Sequence, residues 1–152
     1  MKMTPTAINS YILFKLPSCF FTGVRVKIID ASHCVTSVKH RWINQNPFSS
    51  MFWAIQGMAA ELATGALVMT SIADSGANMS MLVATNNARF DKKAKGRISF
   101  TCLDGLLVKE AIAAAVETNE AQICWMKAIG KDSQGNVVSE FNFQWTLKVK
   151  SL

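Results

Sequence analysis

Alternating apolar and polar residues mark the first strands of this chain. In VRVKII, residues 24–29, valine and isoleucine alternate with arginine and lysine, and CVTSVKHRW continues the pattern after the turn-like segment DASH. Alternation with a period of two is typical of a strand that buries one face. Residues 24–43 are therefore predicted to form a β-hairpin, preceded by a short helix over residues 6–16 that ends before Pro17.

A long apolar segment follows the predicted hairpin. NQNPFSSMFWAIQGMAAELATGALVM, residues 44–69, is apolar or small on nearly every face, which is typical of a helix at the centre of a fold. Asn46 is predicted to be the N-cap and Pro47 the first helical residue, since proline lacks only an N–H that would be unpaired there. Glu61 is the one charged residue of the segment and lies within it.

The remaining residues contain four strand-like segments and one helix. MSMLVATNNARF and GRISFTCL are separated by a basic turn and are predicted to pair antiparallel, and LLVKEAIAAAVE has a helical composition. AQICWMKAIG and VVSEFNFQWTLKVK flank KDSQGN, a strong hairpin signal. If an antiparallel sheet wraps around one central helix, the apolar face of the strands and the apolar surface of the helix are both buried. The predicted fold class is α+β, in a single domain of residues 1–152 on which residues 1–20 pack as an N-terminal helical segment.

Three segments of this chain resemble the hotdog fold of the thioesterase superfamily: NPFSSMFWAIQGMAAELATG, FDKKAKGRISFTCLDG and the aromatic last strand FNFQWTLKVK. The nearest likeness is to a branch that carries a domain of unknown function and is related to phenylacetate-type acyl-CoA thioesterases. The resemblance implies a long central helix wrapped by an antiparallel β-sheet. It also implies a homodimer whose sheets join edge to edge, leaves a dimer of dimers open, and places an acyl-thioester pocket at the subunit interface.

The resemblance also implies candidate catalytic residues. Glu61 matches the acidic residue on the central helix that acts in thioesterases as nucleophile or as the base that activates water. Asn46 is similar to the polar residue before that helix, and Ser50 could donate a hydroxyl to the thioester carbonyl near the helix start. The chain departs from many relatives in having PFSSMF where they have a His-Gly-Gly-like sequence. A non-catalytic module that binds acyl-thioesters or lipids is therefore the alternative interpretation.

Each candidate residue also has a structural explanation. Burial of Glu61 would raise its pKa toward the range of a general base. The same carboxylate could instead pair with a cation or accept backbone hydrogen bonds, because an unpaired buried charge is costly, or it could simply be exposed. Asn46 could be a helix cap with no catalytic role.

The positive charge of the chain is concentrated in one short segment. The net charge is +6, and FDKKAKGR brings Lys92, Lys93, Lys95 and Arg97 together near a glycine. Clustered cations attract polyanions, so these residues are predicted to hold the phosphates of coenzyme A, which enters as part of the substrate and not as a separate cofactor. The alternative is a solvated hairpin end. No nucleic-acid motif accompanies them, so a nucleic-acid partner is not expected.

Cysteine spacing and hydropathy indicate the cellular compartment in which the protein is expected. The four cysteines are far apart, with no CxxC pair, which favours buried reduced thiols over a disulfide framework or a metal site. The apolar runs are interrupted by polar residues and are expected to be too short or too polar to span a bilayer. The first 20 residues lack the ordered regions of a signal peptide. The expectation is a cytoplasmic protein without membrane insertion.

Overall fold

The computed structural model describes residues 3–150, which form four α-helices and six strands. In chain order they are α1 (Pro5–Lys15), α2 (Pro17–Phe21), β1 (Arg25–Ile29), β2 (Cys34–Lys39), α3 (Trp53–Ser75), β3 (Met79–Phe90), β4 (Arg97–Cys102), α4 (Gly105–Thr118), β5 (Gln122–Lys131) and β6 (Val137–Val149), with a 3-10 turn at Trp42–Asn44.

The strands form one antiparallel sheet in the order β1-β2-β4-β5-β6-β3, with α3 packed on one face. Thr36 on β2 faces this helix, because its hydroxyl donates a 2.6 Å hydrogen bond to the Ala59 carbonyl. On β6 the aromatic residues Phe141, Phe143 and Trp145 are buried, as their alternation with polar residues indicates. The predicted α+β arrangement, a long helix against an antiparallel sheet, is confirmed.

The N-terminal helix protects an open edge of the sheet. Asn9 on α1 donates from Nδ2 to the Val26 carbonyl and accepts from the Val26 N–H, both at 2.9 Å. An amide side chain thus pairs with β1 as a neighbouring strand would. Edge strands with unpaired backbone groups invite pairing with other chains, so this contact gives α1 a structural role.

The prediction that β3 pairs with β4 is wrong. β3 pairs along its length with β6, whereas β4 lies between β2 and β5. The connecting residues 91–96 reach the start of β6, where the Asp91 and Lys92 N–H groups donate to the Val138 carbonyl at 2.8 and 3.3 Å. Alternation shows which face of a strand is buried, but it does not identify the neighbouring strand.

The predicted start of the central helix is also wrong. Phe52 is the N-cap and α3 begins at Trp53, while Asn46 closes a turn. Its Oδ1 accepts hydrogen bonds from the N–H groups of Phe48 and Ser50 at 2.9 and 3.2 Å, and its own N–H donates to the Ser50 carbonyl. An asparagine side chain satisfies a turn with the same local geometry that caps a helix, so the pattern alone could not separate the two.

The apolar character of α3 reflects its place in the core. By length and composition alone α3 could cross a membrane. The prediction that every apolar run is too short or too polar to span a bilayer is therefore wrong for this helix. Within its most apolar 18-residue window, however, 67% of the residues are buried inside the fold. All four cysteines are buried free thiols, as predicted.

Candidate functional site

Glu61 lies on a face of α3 that the rest of the fold covers only in part. The half-buried residues Ala54, Gly57, Met58 and Glu61 recur at helical spacing and form a stripe of mostly small side chains. Most other residues of the helix between Ile55 and Val68 are fully buried. Glu61 is therefore the one charged group on an otherwise apolar and partly accessible helix face.

The Glu61 carboxylate has no charged or hydrogen-bonding partner within residues 3–150. Burial raises its pKa, and no neighbouring cation or N–H group offsets that effect. A Cβ at Gly65 would lie 3.3 Å both from Glu61 Oε1 and from the indole ring of Trp145, so glycine leaves room for the carboxylate beside that ring. Burial, and then the charge of Glu61, raise the pKa of the Cys19 thiol to about 12. Within residues 3–150 the Glu61 carboxylate is therefore stabilised neither by a cation nor by backbone N–H donors.

Two hydrogen bonds of the buried Thr64 hydroxyl hold the helical turn that carries Glu61. The Thr64 hydroxyl donates to the Glu61 carbonyl at 2.9 Å and accepts a 3.0 Å hydrogen bond from Trp145 Nε1 on β6. These bonds connect α3 to the sheet one turn beyond the carboxylate. Local sequence patterns could not predict the contact between Thr64 and Trp145, because these residues are 81 positions apart.

A cavity of about 390 Å³ opens at the start of α3. It brings together four of the predicted site residues, Asn46, Ser50, Lys92 and Lys93. Exposed aromatic side chains contribute much of the wall. The remaining lining residues are Pro47, Phe48, Met51, Phe52, Trp53, Gln56, Phe90, Asp91 and Ala94.

Hydrogen bonds within the loop hold Asn46 and Ser50 in place. Asn46 Nδ2 donates to Ser50 Oγ at 3.0 Å, and Ser50 Oγ lies 3.2 Å from Asn46 Oδ1. When the Ser50 hydroxyl only accepts from the amide, its single hydrogen can be donated to a ligand in the cavity. Gln56, which sequence reasoning missed, is buried in the same wall and accepts from the Ser139 hydroxyl at 2.7 Å.

The backbone at the start of α3 provides additional donors. No side chain caps this helix. The N–H groups of Trp53 and Ala54 have no acceptor within residues 3–150, whereas those of Ile55 and Gln56 donate to the Phe52 carbonyl at 3.0 and 3.4 Å. Helix N-termini carry partial positive charge and stabilise negative charge that develops next to them. This cavity therefore has the electrostatic features that a polarised carbonyl oxygen requires.

The basic segment does not act as one cluster. Lys92 and Lys93 line the cavity; Lys92 Nζ forms a 3.0 Å ion pair with Asp132, and Lys93 Nζ lies 3.5 Å from the Phe48 carbonyl. Lys95 is exposed in the loop. It lines neither the cavity at the start of α3 nor the cavity that contains Arg97. Arg97 is the first residue of β4 and lines a different cavity on the opposite face of the sheet.

Glu61 does not line the cavity that contains Asn46 and Ser50. It follows Trp53 by eight residues, which is about 12 Å along a helix axis. Within one chain, the carboxylate and the proposed carbonyl-binding groups are therefore separated along α3.

Solved structures of other proteins show the same architecture. A Pseudomonas aeruginosa protein of unknown function, named as a probable thioesterase, has 24% identity and a TM-score of 0.82, with 99% of this chain and 100% of the other covered. A Haemophilus influenzae thioesterase has 8% identity, a TM-score of 0.70, and coverage of 98% and 93%. The PaaI protein of the E. coli phenylacetic acid degradation operon has 10% identity, a TM-score of 0.62, and coverage of 93% and 96%.

These similarities assign the fold to a class. The protein has the hotdog fold that these solved structures share. Residues 6–147 match the family described as domain of unknown function DUF4442, and the chain belongs to that family. No curated protein is significantly similar to the chain in sequence.

Proposed function

We propose that the protein is a dimeric hydrolase of acyl-coenzyme A or acyl-carrier thioesters in which Glu61 activates water. The observation that carries the proposal is the Glu61 carboxylate itself. It is half-buried, its pKa is raised by burial, and it has no charged or hydrogen-bonding partner within residues 3–150. A structural carboxylate in such a position would be expected to have a partner, whereas a general base is kept free to take a proton from water.

The proposed reaction uses one water molecule and no additional cofactor. The ionised Glu61 removes a proton from water as the water oxygen attacks the thioester carbonyl carbon. The carbonyl oxygen gains negative charge, which the first-turn N–H groups of α3 and the Ser50 hydroxyl stabilise. When the carbon–sulfur bond breaks, the thiolate leaves and takes the proton from Glu61. The products are a carboxylic acid and a thiol, and Glu61 is again ionised.

A second subunit would complete this site. In one chain Glu61 lies about 12 Å along the helix axis from the start of α3. Because this separation is too long for both to contact one carbonyl group, we assign the two parts to different protomers. Residues 84–90 of β3 are exposed at the edge of the sheet, and such an edge readily pairs with another strand. The exposed aromatic residues Phe52, Trp53 and Phe90 lie at the same end of the fold as the cavity and would be covered by dimerisation.

The phosphates and the acyl chain of the substrate are assigned to two different parts of the protein. Lys93, supported by Lys92 and by Lys95 farther along the loop, would attract the phosphates of coenzyme A at the mouth of the cavity. The acyl chain would lie along the half-buried stripe of α3, where Met58 can adapt to irregular shapes. Arg97 is on the other face of the sheet and takes no part in this assignment.

One observation favours a second candidate, a module that binds acyl-thioesters or lipids without hydrolysing them. The side chains of Asn46 and Ser50 bond to each other, and the loop before α3 has no glycine to allow close approach of a carbonyl group. In that case the cavity would hold a ligand while lacking part of the oxyanion site.

Release of free thiol from short, long and aromatic acyl-coenzyme A esters tests the proposal. We expect turnover by the wild type and a loss of about 10²- to 10⁴-fold in Glu61→Gln, because the amide cannot act as a base. Glu110→Gln, an exposed glutamate on α4, is the matched control and should retain full activity. Sedimentation should show that all three proteins have the same oligomeric state.

The possible outcomes separate the two candidates. Turnover by folded Glu61→Gln at the wild-type rate would eliminate Glu61 as the base. If the wild type binds acyl-coenzyme A esters but releases no thiol from any of them, the binding module replaces the hydrolase as the proposed function.

A further inference from the structure

A second cavity lies on the outer face of the sheet, opposite α3. Its volume is about 260 Å³. Apart from Gly23, every lining residue is a cation: Arg25, Lys27, Lys39, Arg41 and Arg97. We call this the outer basic cavity. It shares no lining residue with the cavity at the start of α3.

Strand pairing brings these cations together from distant positions. Lys39 on β2 is directly opposite Arg97 on β4, and Arg25 on β1 is opposite Ser37. The residues between them in sequence, such as Val38, are fully buried toward α3. Because side chains alternate along a strand, the cations share the face that points away from the helix.

Contacts with the protein hold two of the arginines in fixed orientations. Arg25 Nη1 donates to the carbonyls of Phe20 and Val24, both at 2.7 Å, and the guanidinium lies 3.6 Å from the centre of the Phe20 ring. Arg97 Nη1 donates to the buried Ser37 hydroxyl at 3.0 Å. A guanidinium has five N–H donors, so most of them remain for a ligand.

No ion pair within residues 3–150 offsets the positive charge of the cavity. None of the five cations forms an ion pair with another of residues 3–150. Burial lowers the pKa of Arg25; Cys19 partly offsets this effect, and the nearby charge of Arg41 adds to it. Gly23 has a φ of +96°, and the Arg41 guanidinium lies against it in the space that a Cβ would occupy. Like charges held this closely are stabilised when an anion binds between them.

We infer that the outer basic cavity binds the phosphate groups of a small ligand, with a diphosphate as the recognised unit. Arginine binds phosphate oxygens through two parallel N–H donors, and pre-oriented arginines lose less conformational entropy on binding than lysines do. Several cations in a cavity of this size suit adjacent phosphates better than one carboxylate. The inference is independent of the proposed hydrolysis, because it involves neither Glu61 nor the cavity at the start of α3.

Calorimetric titration with inorganic pyrophosphate at about physiological ionic strength tests this inference. We expect Lys39→Gln with Arg97→Gln to weaken binding by about ten- to a hundredfold, since two charge-assisted contacts are removed. The matched control is Lys109→Gln with Lys148→Gln, which removes the same charge from exposed positions on α4 and β6. The control should bind within about twofold of the wild type. Because Arg97 also contacts Ser37, Lys27→Gln with Lys39→Gln provides a second variant that leaves every observed arginine contact intact.

Two results would overturn the inference. One is the absence of pyrophosphate binding to the wild type, and the other is equal weakening in the cavity variants and in the control. If the cavity variants bind pyrophosphate more weakly than the control does, competition experiments identify the kind of ligand that carries the phosphates. Displacement of pyrophosphate by coenzyme A, but not by pantetheine, would identify the thioester carrier, whereas displacement by ADP without displacement by coenzyme A would identify a separate phosphorylated metabolite.

Discussion

The unpaired Glu61 carboxylate should make the folded protein less stable as the pH rises, and Glu61→Gln should remove that dependence. The substitution keeps the size and shape of the side chain and breaks no hydrogen bond seen within residues 3–150. Below the ordinary pKa of 4.5, Glu61 is protonated in both the folded and the unfolded state, so the two proteins should have similar stabilities. The comparison therefore isolates the effect of the charge.

The magnitude follows from the raised pKa of Glu61. A folded state that binds the proton more tightly than the unfolded state loses stability as the pH increases from 4.5 through the raised pKa. The loss is about 1.4 kcal/mol for each pH unit by which the folded-state pKa exceeds the unfolded one. Above that range Glu61→Gln should be more stable than the wild type by this amount, and the difference should then remain constant.

Urea denaturation of both proteins from pH 4 to 8, at one fixed protein concentration, measures the effect. Concentration must be constant because dimer formation contributes to apparent stability. A stability difference that does not change with pH would refute the reasoning. A wild type more stable than Glu61→Gln at pH 8 would also refute it, and would indicate that a cation from a second subunit pairs with the carboxylate.

Two further substitutions test contacts that hold the fold around the site. Ser139→Ala should destabilise the protein by about 1–3 kcal/mol, because the buried Gln56 carbonyl oxygen loses its hydrogen-bond donor; urea denaturation measures this, and an unchanged midpoint would mean that Gln56 finds another donor. Asn9→Ala removes both bonds to Val26 and should cost a similar amount while exposing the β1 edge, so faster hydrogen exchange at β1 is expected. Unaltered exchange would show that α1 protects the edge without this side chain.

Local sequence patterns predicted the elements that depend on neighbouring residues. Helix α4, the β1–β2 hairpin and the β5–β6 hairpin around Asp132 and Gly135 were recognised because turn residues and periodicity act over a few positions. The inward face of β6 was predicted for the same reason. Asn46 shows the limit, because an asparagine before an apolar run fits a helix cap and a closed turn equally well.

The candidate site was only partly predictable. The position of Glu61 on the central helix follows from the sequence, but its lack of a partner depends on which side chains the fold brings near it. The basic segment suggested one cluster of cations, whereas the structure places Lys93 in the wall of the cavity at the start of α3 and Arg97 on the outer face of the sheet. Lys93 belongs to the loop before β4 and Arg97 is the first residue of that strand, so proximity in sequence did not give proximity in space.

The sequence by itself determined the hydrophobic faces, most turns and the presence of an acidic residue in an apolar helix. Tertiary structure decided that β4 lies between β2 and β5, and that β3 occupies the edge next to β6. It also decided that Arg25, Lys39 and Arg97 share one cavity. The physical reason is that local conformation depends on short-range sterics and hydrogen bonds, whereas strand order and the surroundings of a charge depend on how the whole chain buries its apolar surface.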